Sequence, residues 1–291
     1  MRYIDISQLQ LDADWQTKAD EKLQELKDAL SDLPTFDLVK KRLFNGGHWR
    51  DGRVKPVLSA LSDGNCWYCE SSLARQHGDV DHFRPKGAVE EDEHHPGYWW
   101  LTFNPTNFRL SCVICNQAST QDGARAGKRD RFPLLDGSPR ASLPTDDYRL
   151  ERPVFLDPTN ADDTALIFFE LDGLPRPSFR EEVDPIKYLR AQRSIETFAL
   201  DQDKTCMDRR KSLQALNTAL KSSETIEQTL DRLPHSDRAR FQDRLHDLRT
   251  LIQNHLEAGT EYLSALVSLA KTFHGQSVWL DGLLRAKGYL N

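Results

Sequence analysis

Cys66-Trp-Tyr-Cys69 and Cys112-Val-Ile-Cys115 constrain this chain more than any other feature it has. Each CxxC turn offers two thiolates from one tight bend. Two such turns supply the four ligands of a tetrahedral sulfur site, for which zinc is the usual ion. Closing that site brings the two ends of residues 70–111 together, so whatever the loop carries is clamped against the metal. The fifth cysteine, Cys206, lies in a helical-looking stretch, Lys204-Thr-Cys-Met-Asp208, and reads as a packed thiol. Cysteines used in CxxC pairs suit a reducing compartment, where thiols bind metal rather than each other.

With 291 residues the chain is too long for a lone zinc module and has room for one large domain or two small ones. Its composition, 38% hydrophobic and 29% charged, is that of a soluble globular protein. No apolar run approaches membrane-spanning length, and Met1-Arg-Tyr-Ile-Asp-Ile lacks an apolar signal core, so a cytoplasmic, membrane-free protein is expected. The net charge of −6 is unusual for a protein that would bind phosphate. Basic residues nevertheless gather near the cysteine segments: Arg75, Arg84, Lys86, Arg109, Arg125, Lys128, Arg129 and Arg131. Of these, Arg84, Lys86, Lys128 and Arg129 are the candidate nucleic-acid contacts. The acidic run Glu90-Glu-Asp-Glu93 reads as a solvated loop.

Periodicity divides the chain into three parts. Residues 1–64 form a helical lead-in, with Trp15, Leu23, Leu26 and Leu30 at helical spacing, a stop at Pro34, and a short helix from Val54 to Leu61. Residues 65–180 hold the cysteine segments, and the stretch 66–133 within them is rich in aromatics, Pro and Gly and poor in periodicity. Short strands are expected there at 153–158 and 165–171, the second ending at the turn signal Asp172-Gly173. Residues 181–291 are helical. Leucine-marked faces after residue 210 need packing partners and suit helix-mediated association, a homodimer included.

The clamped loop carries Asp79-Val-Asp-His-Phe-Arg-Pro-Lys86, and Asn116 directly follows the last cysteine. Asp81-His82 sets a carboxylate beside an imidazole. Histidine titrates near neutrality and makes a workable base, while a carboxylate and an amide carbonyl are hard ligands for Mg2+ or Mn2+. Phosphodiester hydrolysis needs both: a proton acceptor for water and a cation to neutralise the phosphate and the leaving oxygen. Neighbouring strand residues point to opposite faces, so Asp81 and His82 can share a site only where the strand breaks, near Pro85 and Gly87. A short helix beginning at the second knuckle would aim Asn116 back at Asp81.

Asp-His-Phe-x-Pro-Lys, followed by Asn107-Phe-Arg-Leu-Ser-Cys112-x-x-Cys115-Asn116, resembles the HNH endonuclease motif in its zinc-bearing ββα-metal form. The resemblance implies an α+β fold: a zinc-stapled ββα-metal nuclease centre with a helical lead-in and a mainly helical C-terminal region. It implies His82 as general base, Asp81 and Asn116 as holders of the catalytic cation, and Asn107 as the brace of the loop orienting His82. Cys66, Cys69, Cys112 and Cys115 would bind structural zinc.

A narrower series is similar to the HNH nucleases of retrons and Septu-type phage defence. It runs Cys66-x-Tyr68-Cys69-Glu70, His82-Phe-Arg-Pro-Lys86, Gly97-Tyr-Trp-Trp-Leu101, Ser111 to Asn116, Lys128 with Phe132-Pro-Leu, and Leu156-Asp-Pro158. That likeness implies a DNA-cutting effector working beside an ATPase subunit. The sequence departs from the pattern where a lysine commonly stands three residues after the final Asn. Ser119 occupies that place, and Lys128 is either the substitute phosphate contact or a surface lysine.

Other readings keep the same residues. The same site would serve structured RNA such as transfer RNA, because it reads a phosphodiester and not a base. A zinc-dependent binding module, catalytically idle, would keep the zinc and dock a partner through its helical tail. Tyr98, Trp99 and Trp100 offer stacking for bases, with core packing of at least one tryptophan the stronger expectation. Glu70 reads as solvated, His94-His95 as loop residues, and His48, His77, His235, His246, His255 and His274 as surface.

Overall fold

The first helix, α1 (Ala13–Asp28), begins where Asp12 caps it, its carboxylate accepting from Trp15 N at 2.9 Å. Trp15, Ala19 and Leu26 form its buried stripe. In the computed structural model the described residues are 1–75, 78–117, 119–121 and 124–290, so His77 lies outside them, as do the side chains of Ser119 and Arg125. Pro34 does not merely end α1. It sits in the first turn of a second helix, α2 (Leu33–Gly46), where its missing N–H removes no helical bond. Gly47, at φ +57°, terminates α2, and α3 (Val54–Ala60) follows within a residue of expectation.

The middle of the chain holds three small antiparallel pairs. β1 (Asp79–His82) pairs with β2 (Phe108–Ser111), setting Asp81 opposite Arg109 and His82 opposite Phe108. A single-turn helix, α4 (Val113–Asn116), follows β2 immediately, with Cys112 as its N-cap. β3 (Ser119–Gln121) pairs with β4 (Ala124–Ala126). After α5 (Ala161–Thr164), β5 (Ile167–Phe169) pairs with β6 (Pro175–Pro177) across the Asp172-Gly173 turn. The strand expected at 153–158 reduces to one bridge, Leu134 to Pro153, because prolines at both ends of that stretch lack donors for a ladder.

The remainder is helical: α6 (Pro185–Thr197), α7 (Asp203–Thr229), α8 (His235–His255), α9 (Leu263–Lys271) and α10 (Val278–Ala286). About half of the described chain is helix, with small sheets, so the fold is mixed α+β. Among the described residues, no helix is long and apolar enough to cross a membrane.

Three buried clusters organise these parts among the described residues. The first joins Trp15, Phe36 and Leu58 of the lead-in to Phe83, Trp99, Trp100 and Phe108, so the lead-in helices share a core with the cysteine loop. A second surrounds the cysteines with Tyr68, Phe155, Ile195 and Phe198. The third lies within the helical tail.

The tail is tied to the first cysteine turn. Glu70, expected to be solvated, is buried, and its carboxylate accepts from the backbone N and Oγ of Ser264. Tyr262 N donates to Glu70 O at 3.3 Å, and Asn65 Nδ2 to Gly259 O at 3.1 Å. Arg209 of α7 is fully buried between the rings of Phe169 (4.2 Å) and Tyr262 (5.2 Å), and its Nη1 donates to Gly173 O at 2.6 Å.

Gly173 has φ +86°, and a Cβ built there would fall 2.2 Å from Cys206 O. Both the conformation and the space exclude a side chain. Gly173→Ala is therefore expected to destabilise the protein by about 2 kcal/mol or more, read as a lowered midpoint in urea unfolding. An unchanged midpoint would contradict this packing.

Candidate catalytic cleft and cysteine cluster

The two CxxC turns bring four buried sulfurs together, all within 4.8 Å of one another. At the first turn, Glu70 N bonds to Cys66 O at 3.0 Å, and Glu70 takes a left-handed φ of +63° to close the bend. At the second, Cys115 N donates to Cys112 Sγ at 3.4 Å, while Cys112 N donates across to Cys66 Sγ at 3.3 Å. A tetrahedral zinc with Zn–S bonds of ~2.3 Å places its sulfurs about 3.8 Å apart. Cys69 Sγ and Cys112 Sγ are 3.8 Å apart. The donor set and its spacing thus fit a metal ion such as zinc. Burial pushes the Cys66 thiol well above its ordinary value, and hydrogen bonding from Cys112 does the same to Cys115. Thiolates packed this closely need a cation among them.

β1 runs beside this cluster. Asp81 is buried, with Oδ2 accepting from the Tyr68 hydroxyl at 2.7 Å and Oδ1 from Lys128 Nζ at 3.0 Å. Burial and the neighbouring Asp81 charge hold the Tyr68 phenol well above its ordinary value, so it stays a donor. His82 points to the other face, edge-on to Trp49 (5.1 Å) and Phe108 (5.2 Å). Its Nε2 lies 2.9 Å from Thr102 O. A carbonyl can only accept, so Nε2 carries the proton and Nδ1 is the basic atom. Burial, then the charge of Lys86, lowers the His82 pKa well below its usual value.

The strand ends at His82, and Asp81 and His82 both line one cleft of about 440 Å³. Asn116 and Gln117 of the second knuckle line it too, with Val80, Pro85, Lys86, Arg129 and Asp130. Asn116 Nδ2 donates to Asp79 Oδ2 at 3.0 Å, which leaves its Oδ1 without a hydrogen-bond partner among the described residues. Asn107 lies outside the cleft. Its Oδ1 accepts from Arg84 N at 2.9 Å and its Nδ2 donates to Arg84 O at 3.0 Å, fixing the backbone two residues beyond His82.

With this geometry established, comparison with known proteins adds one relative. No family model matches the chain. The chain is similar to the Septu protein PtuB of Bacillus mycoides (strain KBAB4). They are 29% identical over 168 residues, which cover 56% of this chain and 52% of PtuB. The chain thus spans about half the length of that relative.

The four basic residues singled out from sequence separate into two kinds. Lys86 and Arg129 line the cleft, Lys86 with its ammonium 4.8 Å from the centre of the Trp49 ring. Arg84 and Lys128 are committed elsewhere: Arg84 pairs with Glu151 at 2.7 Å, and Lys128 is fully buried against Asp81. Lys128 is thus not a surface lysine. Arg109 is likewise buried in a two-pronged pair with Asp157, at 2.8 and 2.6 Å.

Some of the bland expectations hold and others change. Tyr98, Trp99 and Trp100 are all buried, so none presents a free stacking face. His48 stacks on Trp15 at 4.7 Å rather than facing solvent. His95 is buried with Nε2 on Ala141 O at 2.8 Å, while His94 is exposed as a loop residue. Sequence reasoning missed Asp79, Tyr68 and Trp49. Asp79 left a signal, since it stands two residues before Asp81 and so shares its strand face, and Tyr68 stood in the motif series without a role; Trp49 left none.

Purified protein is expected to carry one zinc per chain by elemental analysis, and Cys115→Ser to lose the metal together with cooperative unfolding. Metal-free protein that keeps a sharp thermal transition would contradict a structural role for the cluster.

Proposed function

We propose that this chain is a metal-dependent endonuclease of the HNH type, with β1, β2 and α4 as its ββα-metal centre. The observation that carries the reading is the convergence of His82, Asp81 and Asn116 on a single cleft beside a four-cysteine cluster. Asp81 and Asn116 would hold the divalent cation, Mg2+ or Mn2+, through a carboxylate oxygen and the Asn116 Oδ1. That ion, when bound, supplies charge neutralisation at the phosphate and the leaving oxygen.

His82 Nδ1 takes the proton from the attacking water. The bond from Nε2 to Thr102 O fixes the tautomer and the ring plane, so the basic nitrogen needs no reorientation. The lowered pKa keeps the ring neutral near pH 7 but makes it a weak base. A phosphate settling on Lys86 offsets the positive charge that depresses the imidazole and so strengthens the base when substrate is present. Asn107 is a positioning residue that holds the Arg84 backbone and hence the turn after His82. Arg129, exposed at the cleft, and Lys86 are the phosphate contacts. Asp79 orients the Asn116 amide so that its oxygen serves as the ligand.

DNA is the proposed substrate, and an anti-phage effector role beside an ATPase partner in the cytoplasm is the proposed setting. The similarity to PtuB and the ordered motif series support that setting. The acidic net charge agrees with a nuclease whose target is chosen by another subunit.

The test is plasmid cleavage by wild type and His82→Ala with Mg2+ or Mn2+, with and without a co-purifying partner. Loss of a general base predicts a fall in rate of about 100-fold or more, with zinc content unchanged. Equal cutting by both proteins would refute the assignment. A matched structured RNA run in parallel separates the two substrates.

A further inference from the structure

The Lys128 ammonium is a buried charge beside the cleft that takes no part in the mechanism above. It is fully enclosed, 3.0 Å from Asp81 Oδ1 and 2.7 Å from His82 O. Its backbone is tied as firmly: Lys128 N donates to Cys115 O at 2.9 Å, and Arg129 N to Asn116 O at 2.8 Å. Gly127 (φ +88°) and Arg129 (φ +47°) both take the left-handed conformation, so the chain reverses on either side of Lys128. One residue therefore holds β1 through its side chain and α4 through its main chain.

Lys128 is not among the residues lining the cleft, so it is not placed to touch a phosphate there. Its charge acts on the cleft through Asp81. Asp81 and Asp130 are the carboxylates of the lining, and Lys86 and Arg129 are its cations. Lys128 cancels Asp81 from behind. Arg50 adds positive charge that reaches His82, and Asp79 lies behind Asn116. The bare cleft is thus neutral to basic. A divalent cation entering it meets the Lys86 ammonium and the Arg129 guanidinium, which line the cleft and repel it. A phosphodiester brings the missing negative charge and reverses the balance.

We propose that Lys128 is a resident counter-ion to Asp81, which makes the bare cleft a poor divalent-cation site and ties cation retention to an arriving phosphate. The proposal rests on the reading of Asp81 and Asn116 as the cation's holders. It also gives the isolated protein a reason to stay idle until substrate is present.

The test is Mn2+ titration followed by electron paramagnetic resonance, without nucleic acid. Wild type, Lys128→Met, and Lys128→Met combined with Asp81→Asn are compared, each checked for zinc. The expected result is millimolar binding by wild type, binding tighter by about ten-fold or more in Lys128→Met, and loss of that gain in the double variant. Micromolar binding by wild type, or a Lys128→Met protein no tighter than wild type, overturns the proposal.

Should Lys128→Met fail to fold, Mn2+ binding by His82→Ala with and without a short DNA duplex decides instead. Tighter binding with the duplex upholds the dependence on phosphate, and equal binding overturns it. None of the readouts is cleavage. A chain that cuts nothing therefore still reports on Lys128, and a failed Mn2+ result leaves the role of His82 standing.

Discussion

Everything around the cleft depends on the closure of four cysteines. Among the described residues, the segment from Cys66 to Cys115 has little regular structure of its own: one two-stranded pair of four residues each, two short 3-10 turns at Trp99–Leu101 and Pro105–Asn107, and a helix of a single turn. A lone two-stranded pair is marginal in water. A structural zinc contributes about 10–16 kcal/mol in small modules, as large as the whole net stability of a typical domain. The cluster is therefore the dominant local constraint. It fixes Asn116, which follows the last cysteine, relative to β1, which carries Asp81 and His82. Aromatic packing then fills the other side of β1, with Trp49 of the lead-in and Phe108 of β2 against the imidazole.

Electrostatics accounts for the second layer of order. Asp81, Lys128 and Arg109 are buried ionisable groups close to β1, Asp157 is a part-buried one, and each finds an opposite charge. Arg109 holds Asp157 below the usual carboxylate range despite burial acting the other way. Such pairs add little net stability over apolar packing, but removing one partner strands a buried charge at a cost of about 3–5 kcal/mol. The arrangement thus selects one geometry at the cleft more than it strengthens the fold. It also shows how a chain of net charge −6 avoids an acidic cleft: Lys128 offsets Asp81 from within, and Lys86 and Arg129 remain at the opening.

How much of this was legible in the sequence follows from how local each feature is. The cysteine turns, the Asp81-His82 pair and Asn116 are encoded within a few residues and could be read directly. So could α3 and the turn at Asp172-Gly173. What escaped was tertiary. The burial of Lys128 depends on a chain reversal that brings it under β1, and the burial of Glu70 depends on Ser264, far along the chain. Arg84 sits in a motif beside His82 yet turns to Glu151, a partner that no spacing announces. Helix α2 was hidden because Pro34 suits a helix start as well as a stop, and sequence alone favoured the stop. Core packing among the aromatic residues at 98–100 is expected for at least one tryptophan; that all three are buried depends on packing partners outside the motif, the lead-in helices among them.

The central claim is that two different ions organise this chain: a sulfur-bound zinc that holds the fold, and a harder cation that Asp81 and Asn116 hold in the cleft. Anomalous diffraction at the zinc and manganese edges tests it most directly, using His82→Ala crystals grown with Mn2+ and a short DNA duplex. The account predicts a zinc peak among Cys66, Cys69, Cys112 and Cys115, and a separate manganese peak in contact with Asp81 and Asn116. Manganese bound away from both residues, or a cysteine cluster without zinc, would contradict it.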